Sequence, residues 1–492
     1  MGDAGRSPLE VMQPTIYRNR RSAIALGLLL CLALALRLHY FQQAIGQPVW
    51  WDEAEYLLKA KSLVFGTPDT GFYTARPLGF PLTLAAFYEL GLGETSIRVA
   101  LLIASLVTVY LTYSIGERLL GTLAGYTGAA LFAMFYVPNY YTNRVLTEIP
   151  RLLLALIAAR LYLSDRSLLM LAAIPVLALA TFMHLTAAIV AVVLGVHFAA
   201  VHTSELLRKN FWFVTIVVVA VVALVAWNRD ALLSTFMSWR DMFPRYLFSV
   251  RYLQRLGVTL DWLYLRLGPV VCVLLVGGAV LLLAWLRRPL ELLRGKSPVL
   301  ANRFFVFLWF FGTLVFFGAV VVGFQDRYMI LMLPAVFWTI GLATAQLAAW
   351  GRRVHRLAPW AIAGGVVVAG GIHLLPQGDR LIRGGLEAQA PLRDAAMWIK
   401  DRTSAADTLM SVSVAQLTYY TERATHRLPR ERQEFDLALK QHRPRFVVLT
   451  LYERHPPWIK GVGAESVGLR VVTAFPPQSR PVVLVLEPMA PR

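Results

Sequence analysis

Long apolar runs, separated by short basic segments, occupy most of this sequence. They cover about 22–38, 96–116, 121–141, 148–163, 167–182, 185–202, 211–228, 263–286, 303–324, 328–349 and 358–376. Most are close to the roughly 20 apolar residues that an α-helix needs to cross a bilayer. With 57% hydrophobic and only 16% charged residues, the chain is too apolar for a soluble globular protein. We therefore predict an all-α polytopic membrane protein with about eleven transmembrane helices.

The positive charge of the chain follows the same pattern. Its net charge is +19, but the basic residues mark the ends of apolar runs instead of forming one patch. Cytoplasmic loops of membrane proteins collect Lys and Arg in this way, so we predict contact with membrane lipids and no nucleic-acid partner. Residues 1–21 form a predicted cytoplasmic tail. The first run lacks a small-residue cleavage site, which favours a retained helix with Arg37 snorkelling outward.

One short apolar segment, 79–92, decides the predicted topology. If it does not cross the membrane, every later basic cluster falls on the cytoplasmic side with the tail; these clusters lie at 117–118, 166, 208–209, 287–296 and 352–356. If it crosses, they all fall outside, against the positive-inside bias. We therefore predict a juxtamembrane helix here. The run from Leu168 to Ala200 is too long for one span, and we expect a break near His184.

This topology gathers ionisable residues on the extracytoplasmic face. They are Asp52, Glu53, Tyr56, Tyr73, Arg76, Arg144, Glu148, His184, the loop 229–262 and the turn Gln325, Asp326, Arg327 and Tyr328. Each alone is compatible with a solvated helix end. Acidic groups at a membrane edge are costly unless they are paired or functional, so their collection on one face indicates a site.

The last segment, 378–492, has a different composition. Polar residues return, and short apolar runs at 408–414, 446–451, 469–475 and 482–486 alternate with helical stretches around 394–401 and 433–441. This pattern predicts a small extracytoplasmic α/β domain that caps the site or presents an acceptor. Tyr419, Tyr420 and Arg423 could contact a glycan, although packing at a strand end is the favoured interpretation.

Several short motifs together resemble a known family. WDEAEY follows the first helix (51–56), then come YTARPLGFP (73–81), the long stretch GERLLGTLAGYTGAALFAMFYVPNYYTNRVLTEIP (116–150) and QDRYMILMLP (325–334). The combination is similar to the GT-C glycosyltransferases, within them most to the branch of the bacterial aminoarabinose transferases and protein O-mannosyltransferases. The likeness runs from about residue 14 to 350.

The resemblance implies an integral membrane enzyme that transfers a sugar, with inversion, from a polyprenyl-phosphate donor to a lipid, glycan or protein acceptor. It implies an extracytoplasmic site, in a membrane that we expect to be the prokaryotic plasma membrane. Asp52 matches the catalytic acid that accepts the acceptor's proton, and Glu53 and Tyr56 complete that motif. The residues that would bind the donor phosphate are Tyr56, Tyr73, Arg76, His184, Arg327 and Tyr328. Glu148 matches the second acidic position and could hold a metal ion with Asp52.

Two positions depart from the resemblance. Ala75 stands where aminoarabinose transferases have a glutamate that binds metal, and His184 stands where many relatives have lysine. A divalent cation, Mg²⁺, Mn²⁺ or Zn²⁺, therefore stays open, and the contact of His184 with phosphate would depend on pH.

The chemistry required of such a site agrees with the residues present. A sugar linked to phosphate already has a good leaving group, so the enzyme needs a base for the acceptor and positive charge for the phosphate. The competing class is a polytopic transporter or lipid flippase. Transporters tend to carry inverted repeats and polar residues near the bilayer midplane, and no repeat is visible in this sequence.

Overall fold

The computed structural model describes residues 20–70, 77–209, 250–293, 297–320, 325–459, 464–477 and 480–489. The helices in these ranges are α1 (Arg20–Ala44), α2 (Trp51–Phe65), α3 (Gly79–Glu89), α4 (Glu94–Leu120), α5 (Thr122–Met134), α6 (Tyr136–Thr142), α7 (Glu148–Tyr162), α8 (Ser167–Met183), α9 (Ala188–Lys209), α10 (Val250–Leu267), α11 (Pro269–Leu282), α12 (Pro289–Leu293), α13 (Pro298–Val320), α14 (Leu333–Gly351), α15 (Ala358–Leu386), α16 (Ala390–Lys400), α17 (Val414–Thr421) and α18 (Arg432–His442). The strands are β1 (Leu409–Ser411), β2 (Thr425–Arg427), β3 (Phe446–Thr450), β4 (Leu469–Phe475) and β5 (Val483–Pro488).

The described helices confirm a mostly helical, apolar chain. Six stretches are long and apolar enough to cross a membrane: Ser22–Ala44, Glu94–Leu120, Pro269–Arg287, Pro298–Phe317, Leu333–Gly351 and Ala358–Lys400. Shorter apolar helices occupy Thr122–Met134, Ser167–Met183 and Leu185–Val201. The run 211–228 lies outside the described residues, and the count of eleven spans stays a prediction. The decisive segment 79–92 contains α3, whose 11 residues are too few to cross a bilayer.

The chain divides into two compact units. The first contains the described residues within Met1–Phe41, Ala100–Asn143 and Thr147–Leu381. The second contains those within Gln42–Val99, Arg144–Leu146 and Ile382–Arg492. The acidic pair Asp52 and Glu53 thus belongs to the same unit as residues 382–492.

In the first unit, α14 packs closely against α5 and α11. A side-chain carbon at Gly341 would collide with the carbonyl oxygen of Ala124, and one at Gly278 with that of Thr339. Small residues at such positions let membrane helices approach closely. The indole of Trp338 donates to the carbonyl of Thr112 at 2.8 Å, which ties α14 to α4 as well.

The predicted span 121–141 is not one helix. The chain breaks at Phe135, between α5 and α6. A break frees backbone carbonyls that need donors. The side-chain amide of Asn139 supplies them, because its Nδ2 donates to the carbonyls of Ala133 at 2.9 Å and Phe135 at 2.8 Å. The expectation of a single span at 121–141 was therefore wrong.

Arg37, on α1, donates hydrogen bonds at the break between α5 and α6. Its side chain is fully buried, so the expectation that it snorkels outward was wrong. The guanidinium donates to Ser105 Oγ at 2.9 Å, to Asn139 Oδ1 at 3.3 Å and to the Ala133 carbonyl at 3.4 Å. A buried arginine is retained where it satisfies several acceptors at once. One of those acceptors, the Ala133 carbonyl, is a backbone group at the helix break.

The expected break near His184 is confirmed. Helix α8 ends at Met183, a short 3-10 helix covers Leu185–Ala187, and α9 begins at Ala188. The backbone of His184 is extended, at φ −162° and ψ 126°.

The second unit contains a five-stranded sheet in the order β2-β1-β3-β5-β4. Strands β2, β1 and β3 are parallel, whereas β5 runs antiparallel to β3 and β4. Phe446 and Val448 face a core with α16, and Val447 faces the opposite core with Phe435 of α18. Successive side chains of a strand point to opposite faces, so a strand covered on both sides is apolar throughout. The predicted small carboxy-terminal sheet is confirmed.

Candidate active site

The acidic pair lies at the start of α2. Trp50 is the N-cap, so Asp52 and Glu53 occupy the second and third positions of the helix. Carboxylates are favourable there because the first turn carries unpaired N–H groups and the positive end of the helix dipole. Glu53 uses this position directly: the backbone N–H of Trp50 donates to its Oε2 at 2.9 Å.

Glu53 is fully buried and joins three segments of the chain. Arg144 Nη1 donates to Oε2 at 3.0 Å, the backbone N–H of Val145 donates to Oε1 at 2.7 Å, and Arg98 Nη2 lies 3.9 Å from Oε1. A buried carboxylate is stable only when it is paired and hydrogen-bonded, and Glu53 meets both conditions. Both of its oxygens therefore accept hydrogen bonds, and these bonds fix the chain where α2 begins.

Arg144 extends this arrangement. Its Nη1 also donates to the carbonyl of Pro48 at 2.8 Å, and its Nη2 donates to the carbonyl of Gly385 at 3.0 Å. The guanidinium lies 4.4 Å from the centre of the Trp50 ring, within the range of a cation–π contact. One ion pair thus fixes the turn from Pro48 to Trp50 that sets the direction of α2.

Asp52 is placed differently from its neighbour. It is half-buried, and its carboxylate interacts with Glu453 from the loop after β3. Burial raises the pKa of Glu453, the Asp52 carboxylate raises it further, and Arg427 opposes both effects. The carboxy-terminal domain therefore contributes an acidic group that interacts electrostatically with the predicted base. No local sequence signal indicates this, because about 400 residues separate the two carboxylates.

Helix α17 of the carboxy-terminal domain packs on this region. The hydroxyl of Tyr420 accepts a hydrogen bond from the Val49 N–H at 2.8 Å. Tyr419 donates to Glu94 at 2.5 Å, and Lys61 lies 3.2 Å from the same carboxylate. The expectation that these tyrosines lie at a strand end was wrong, since both lie on α17. Of the two, Tyr420 holds the segment before α2.

The far end of α2 holds the segment that follows it. Thr70 donates to the buried Glu55 at 2.5 Å, and Lys59 pairs with Asp69 at 2.9 Å. The ring of Tyr56 is buried against Phe80, with ring centres 5.1 Å apart. Tyr73, Ala75 and Arg76 lie outside the described residues, so the donor contacts of Tyr73 and Arg76 stay predictions.

In the first unit, Arg151 brings together three predicted site residues. It is fully buried, and its Nη1 donates to Thr186 Oγ1 at 2.7 Å and to His184 Nδ1 at 3.2 Å. Its Nη2 donates to the backbone carbonyl of Arg327 at 3.0 Å and lies 3.6 Å from Glu148. We did not predict Arg151 from the sequence, although its place one turn after Glu148 in an apolar helix was a usable signal.

The segment with Arg327 and Tyr328 is fixed by its neighbour Asp326. Tyr136 and Tyr141 of α6 each donate to one oxygen of that carboxylate, both at 2.7 Å. The Arg327 guanidinium carbon lies 5.2 Å from the centre of the Tyr328 ring. The helix break after α5 thus positions two tyrosines that hold the predicted donor-binding pair.

Known proteins share this architecture. The family model described as dolichyl-phosphate-mannose-protein mannosyltransferase matches residues 75–227. ArnT from Cupriavidus metallidurans is similar over 96% of this chain and 100% of its own, at 14% identity and a TM-score of 0.61. The oligosaccharyltransferase AglB from Archaeoglobus fulgidus is similar over 89% of this chain and 70% of its own, at 13% identity and a TM-score of 0.57. Both are GT-C glycosyltransferases.

The chain has the GT-C fold.

A third protein with this fold is the arabinofuranosyltransferase AftD from Mycobacteria. It is similar over 96% of this chain and 40% of its own, at 13% identity and a TM-score of 0.54. No curated protein sequence matches the chain. The resemblance to the GT-C glycosyltransferases is thus confirmed at the level of fold, and the apolar helices make the chain an integral membrane protein.

The carboxylates of the candidate site can be tested as ligands for a divalent cation. In the described ranges, no group of three or more His, Cys, Asp or Glu side chains could hold a metal ion. Glu53 is paired with Arg144 and Glu148 lies beside Arg151, so arginines already balance both carboxylates. The fit to a metal is therefore poor around these two acids, and the pairing of Asp52 with Glu148 stays a prediction.

Proposed function

We propose that the protein is an integral membrane glycosyltransferase. It would transfer a sugar, with inversion, from a polyprenyl-phosphate donor to an acceptor on the extracytoplasmic face of a prokaryotic plasma membrane. Asp52 is the proposed catalytic base. The GT-C fold, the family match at 75–227 and the placement of Asp52 support this proposal.

The observation that carries the proposal is the contrast between the two adjacent acids. Glu53 is buried with both oxygens engaged, whereas Asp52 is half-buried on the rigid first turn of the same helix. A base must be held in place and still reach the acceptor. Glu53 thus becomes a positioning residue, and Asp52 becomes the group that receives the proton.

The proposed reaction follows from these roles. Asp52 takes a proton from an acceptor hydroxyl or amine, whose oxygen or nitrogen attacks the anomeric carbon. The bond from that carbon to the phosphate oxygen breaks, and polyprenyl phosphate leaves with the electron pair. Positive or hydrogen-bond-donating groups stabilise the leaving phosphate. Arg76, Arg327 and His184 are the groups that we propose for this role, and Tyr56, Tyr73 and Tyr328 are proposed to contribute further hydrogen bonds to the phosphate.

Two relatives with this fold support the donor class. One structure of ArnT is bound to undecaprenyl phosphate, and one structure of AglB contains an inhibitory peptide and a dolichol phosphate. Polyprenyl phosphates are therefore ligands of proteins with this fold. Another structure of the A. fulgidus oligosaccharyltransferase contains Zn and sulfate. For this chain, a divalent cation between Asp52 and Glu148 stays a prediction, and no step of the proposed reaction depends on it.

The acceptor would approach Asp52 from the carboxy-terminal domain, since that domain contributes Glu453. Both carboxylates can accept hydrogen bonds from hydroxyl or amine groups. A lipid, a glycan or a protein side chain meets this requirement.

The decisive experiment compares the wild-type protein with Asp52→Asn and Asp165→Asn. Membranes and purified protein are incubated with labelled polyprenyl-phosphate sugars, and both the product and the lipid are analysed. Asp52→Asn should lower turnover by about 10²–10⁴-fold while the thermal midpoint is unchanged. Asp165→Asn, an exposed acid paired with Arg118, should behave as wild type. Full turnover in Asp52→Asn would exclude the proposed base, and donor movement without a product would indicate a flippase.

A further inference from the structure

His184 has an unusually complete set of donors around one ring nitrogen. Its Nδ1 lies 3.2 Å from Arg151 Nη1, 2.8 Å from Thr186 Oγ1 and 3.3 Å from the Thr186 backbone nitrogen. A guanidinium and a backbone N–H can only donate hydrogen bonds. Nδ1 must therefore accept, which means that it carries no proton. In the neutral ring, the proton then lies on Nε2.

The groups around Nδ1 are themselves fixed. Thr186 Oγ1 accepts from Arg151 at 2.7 Å, which directs the hydroxyl proton of Thr186 toward Nδ1. The other arm of Arg151 is held by the carbonyl of Arg327. The backbone of His184 is fixed on both sides, because its N–H donates to Ala180 and its carbonyl accepts from Ala187, each at 3.0 Å. The ring cannot flip without breaking several of these bonds.

The charge nearest to Nδ1 acts in the same direction. Arg151 on α7 lies directly against Nδ1, so a second proton on the ring would replace an attraction by repulsion between two cations. The backbone carbonyl of Arg327, on the adjoining 3-10 helix, accepts from Arg151, and Glu148 on α7 is the acid of the group. Glu148 is already 3.6 Å from Arg151.

We propose that Arg151 and Thr186 hold His184 as the neutral tautomer protonated on Nε2. Arg151 is then a positioning residue, and His184 offers a directed N–H donor instead of a titrating cation. The role of that donor toward phosphate rests on the proposed function. It also replaces the expectation, from the sequence alone, that the phosphate contact of this histidine depends on pH. A neutral donor keeps the same hydrogen bond across the range in which a free histidine titrates.

A spectroscopic experiment tests the tautomer without any substrate. The full chain is labelled with ¹⁵N-histidine, and a His184→Gln variant identifies the two ring signals that disappear. Between pH 5.5 and 8, the wild-type signals should remain those of an unprotonated Nδ1 and a protonated Nε2. In Thr186→Val, which removes one donor, the ring should begin to take up a second proton within this range. Signals of a doubly protonated ring in the wild-type protein at pH 6 would overturn the proposal.

A pair of substitutions tests the donor role. The amide nitrogen of glutamine can replace Nε2, whereas that of asparagine lies nearer the Nδ1 position. His184→Gln should keep the KM for the polyprenyl-phosphate sugar within about threefold, and His184→Asn should raise it by about tenfold or more. An equal increase in both variants would overturn the directed donor. A wild-type KM in both variants, with the tautomer intact in the spectra, would instead remove His184 from the proposed phosphate site.

Discussion

The Glu53 carboxylate accepts a hydrogen bond from Arg144 Nη1 at 3.0 Å, and both side chains are almost completely shielded from solvent. This ion pair connects the first turn of α2 with residue 144, which lies about 90 positions later. Removing one partner of a buried ion pair leaves the other charge without compensation. The orientation of Asp52, the preceding residue on the same turn, depends on this pair.

Glu53→Gln should therefore destabilise the protein more than it alters the chemistry. Glutamine can still accept from Val145, but it leaves the Arg144 guanidinium unbalanced. A buried pair broken in this way costs about 3–5 kcal/mol, which should lower the thermal midpoint by several degrees. Tryptophan fluorescence during heating measures this. Asp69→Asn is the matched control, because its ion pair with Lys59 is partly exposed and should matter little. Equal midpoints for the two variants would contradict a structural role for Glu53.

The contact of Tyr420 with Val49 predicts a local effect. Burial raises the pKa of Tyr420 to about 12, so its hydroxyl is neutral at ordinary pH and accepts from the Val49 N–H. Tyr420→Phe removes that acceptor, and hydrogen exchange at Val49 should become about tenfold faster. Tyr419→Phe is the control on the same helix, since Tyr419 donates to Glu94 instead. Unchanged exchange in Tyr420→Phe would show that this bond does not hold the segment before Asp52.

The raised pKa of Glu453 should make the stability of the protein depend on pH. Its pKa is raised by burial and by Asp52, so the stability linked to its protonated form is present at low pH and is lost as pH rises through the raised pKa. Glu453→Gln cannot ionise, so the variant does not lose stability as the pH rises. Because the side chain is only half-buried, the thermal midpoint should rise by about 1–3 °C at pH 7.5. At pH 4 the variant and the wild type should melt together. A lower midpoint at pH 7.5 would mean that the Glu453 charge stabilises the fold.

The two tyrosines on Asp326 predict coupled effects on donor binding. Tyr136→Phe and Tyr141→Phe each release one oxygen of the Asp326 carboxylate, which loosens the segment with Arg327 and Tyr328. Each change should raise the donor KM by about threefold, and the double variant should deviate from additivity because both share one acceptor. Steady-state kinetics over a range of donor concentrations measures this. Tyr162→Phe, whose hydroxyl contacts His197, should leave the donor KM unchanged. Additive effects would mean that the tyrosines act independently.

Some residues of the candidate site could be predicted from the sequence alone, and others could not. Asp52, Glu53 and Glu148 were predicted as site residues because charged residues are rare in an apolar chain and stand out at helix ends. The different roles of Asp52 and Glu53 were not visible, because adjacent acids look alike until burial and hydrogen-bond partners are known. Arg151 and Glu453 were not predicted from the sequence for a related reason, and Asp326 was predicted only as one member of a charged turn. Their importance lies in what they contact.

The sequence by itself determined the class of protein: a helical membrane chain with a GT-C resemblance and a small carboxy-terminal sheet. Hydrophobic periodicity and length are local properties, so they can be read from neighbouring residues. Only the tertiary structure decided that Arg37 is buried under a helix break, that Glu53 pairs with Arg144 and that His184 accepts at Nδ1. Each of these depends on side chains that are far apart in sequence, and a hydrogen bond is specified by distance and angle in space.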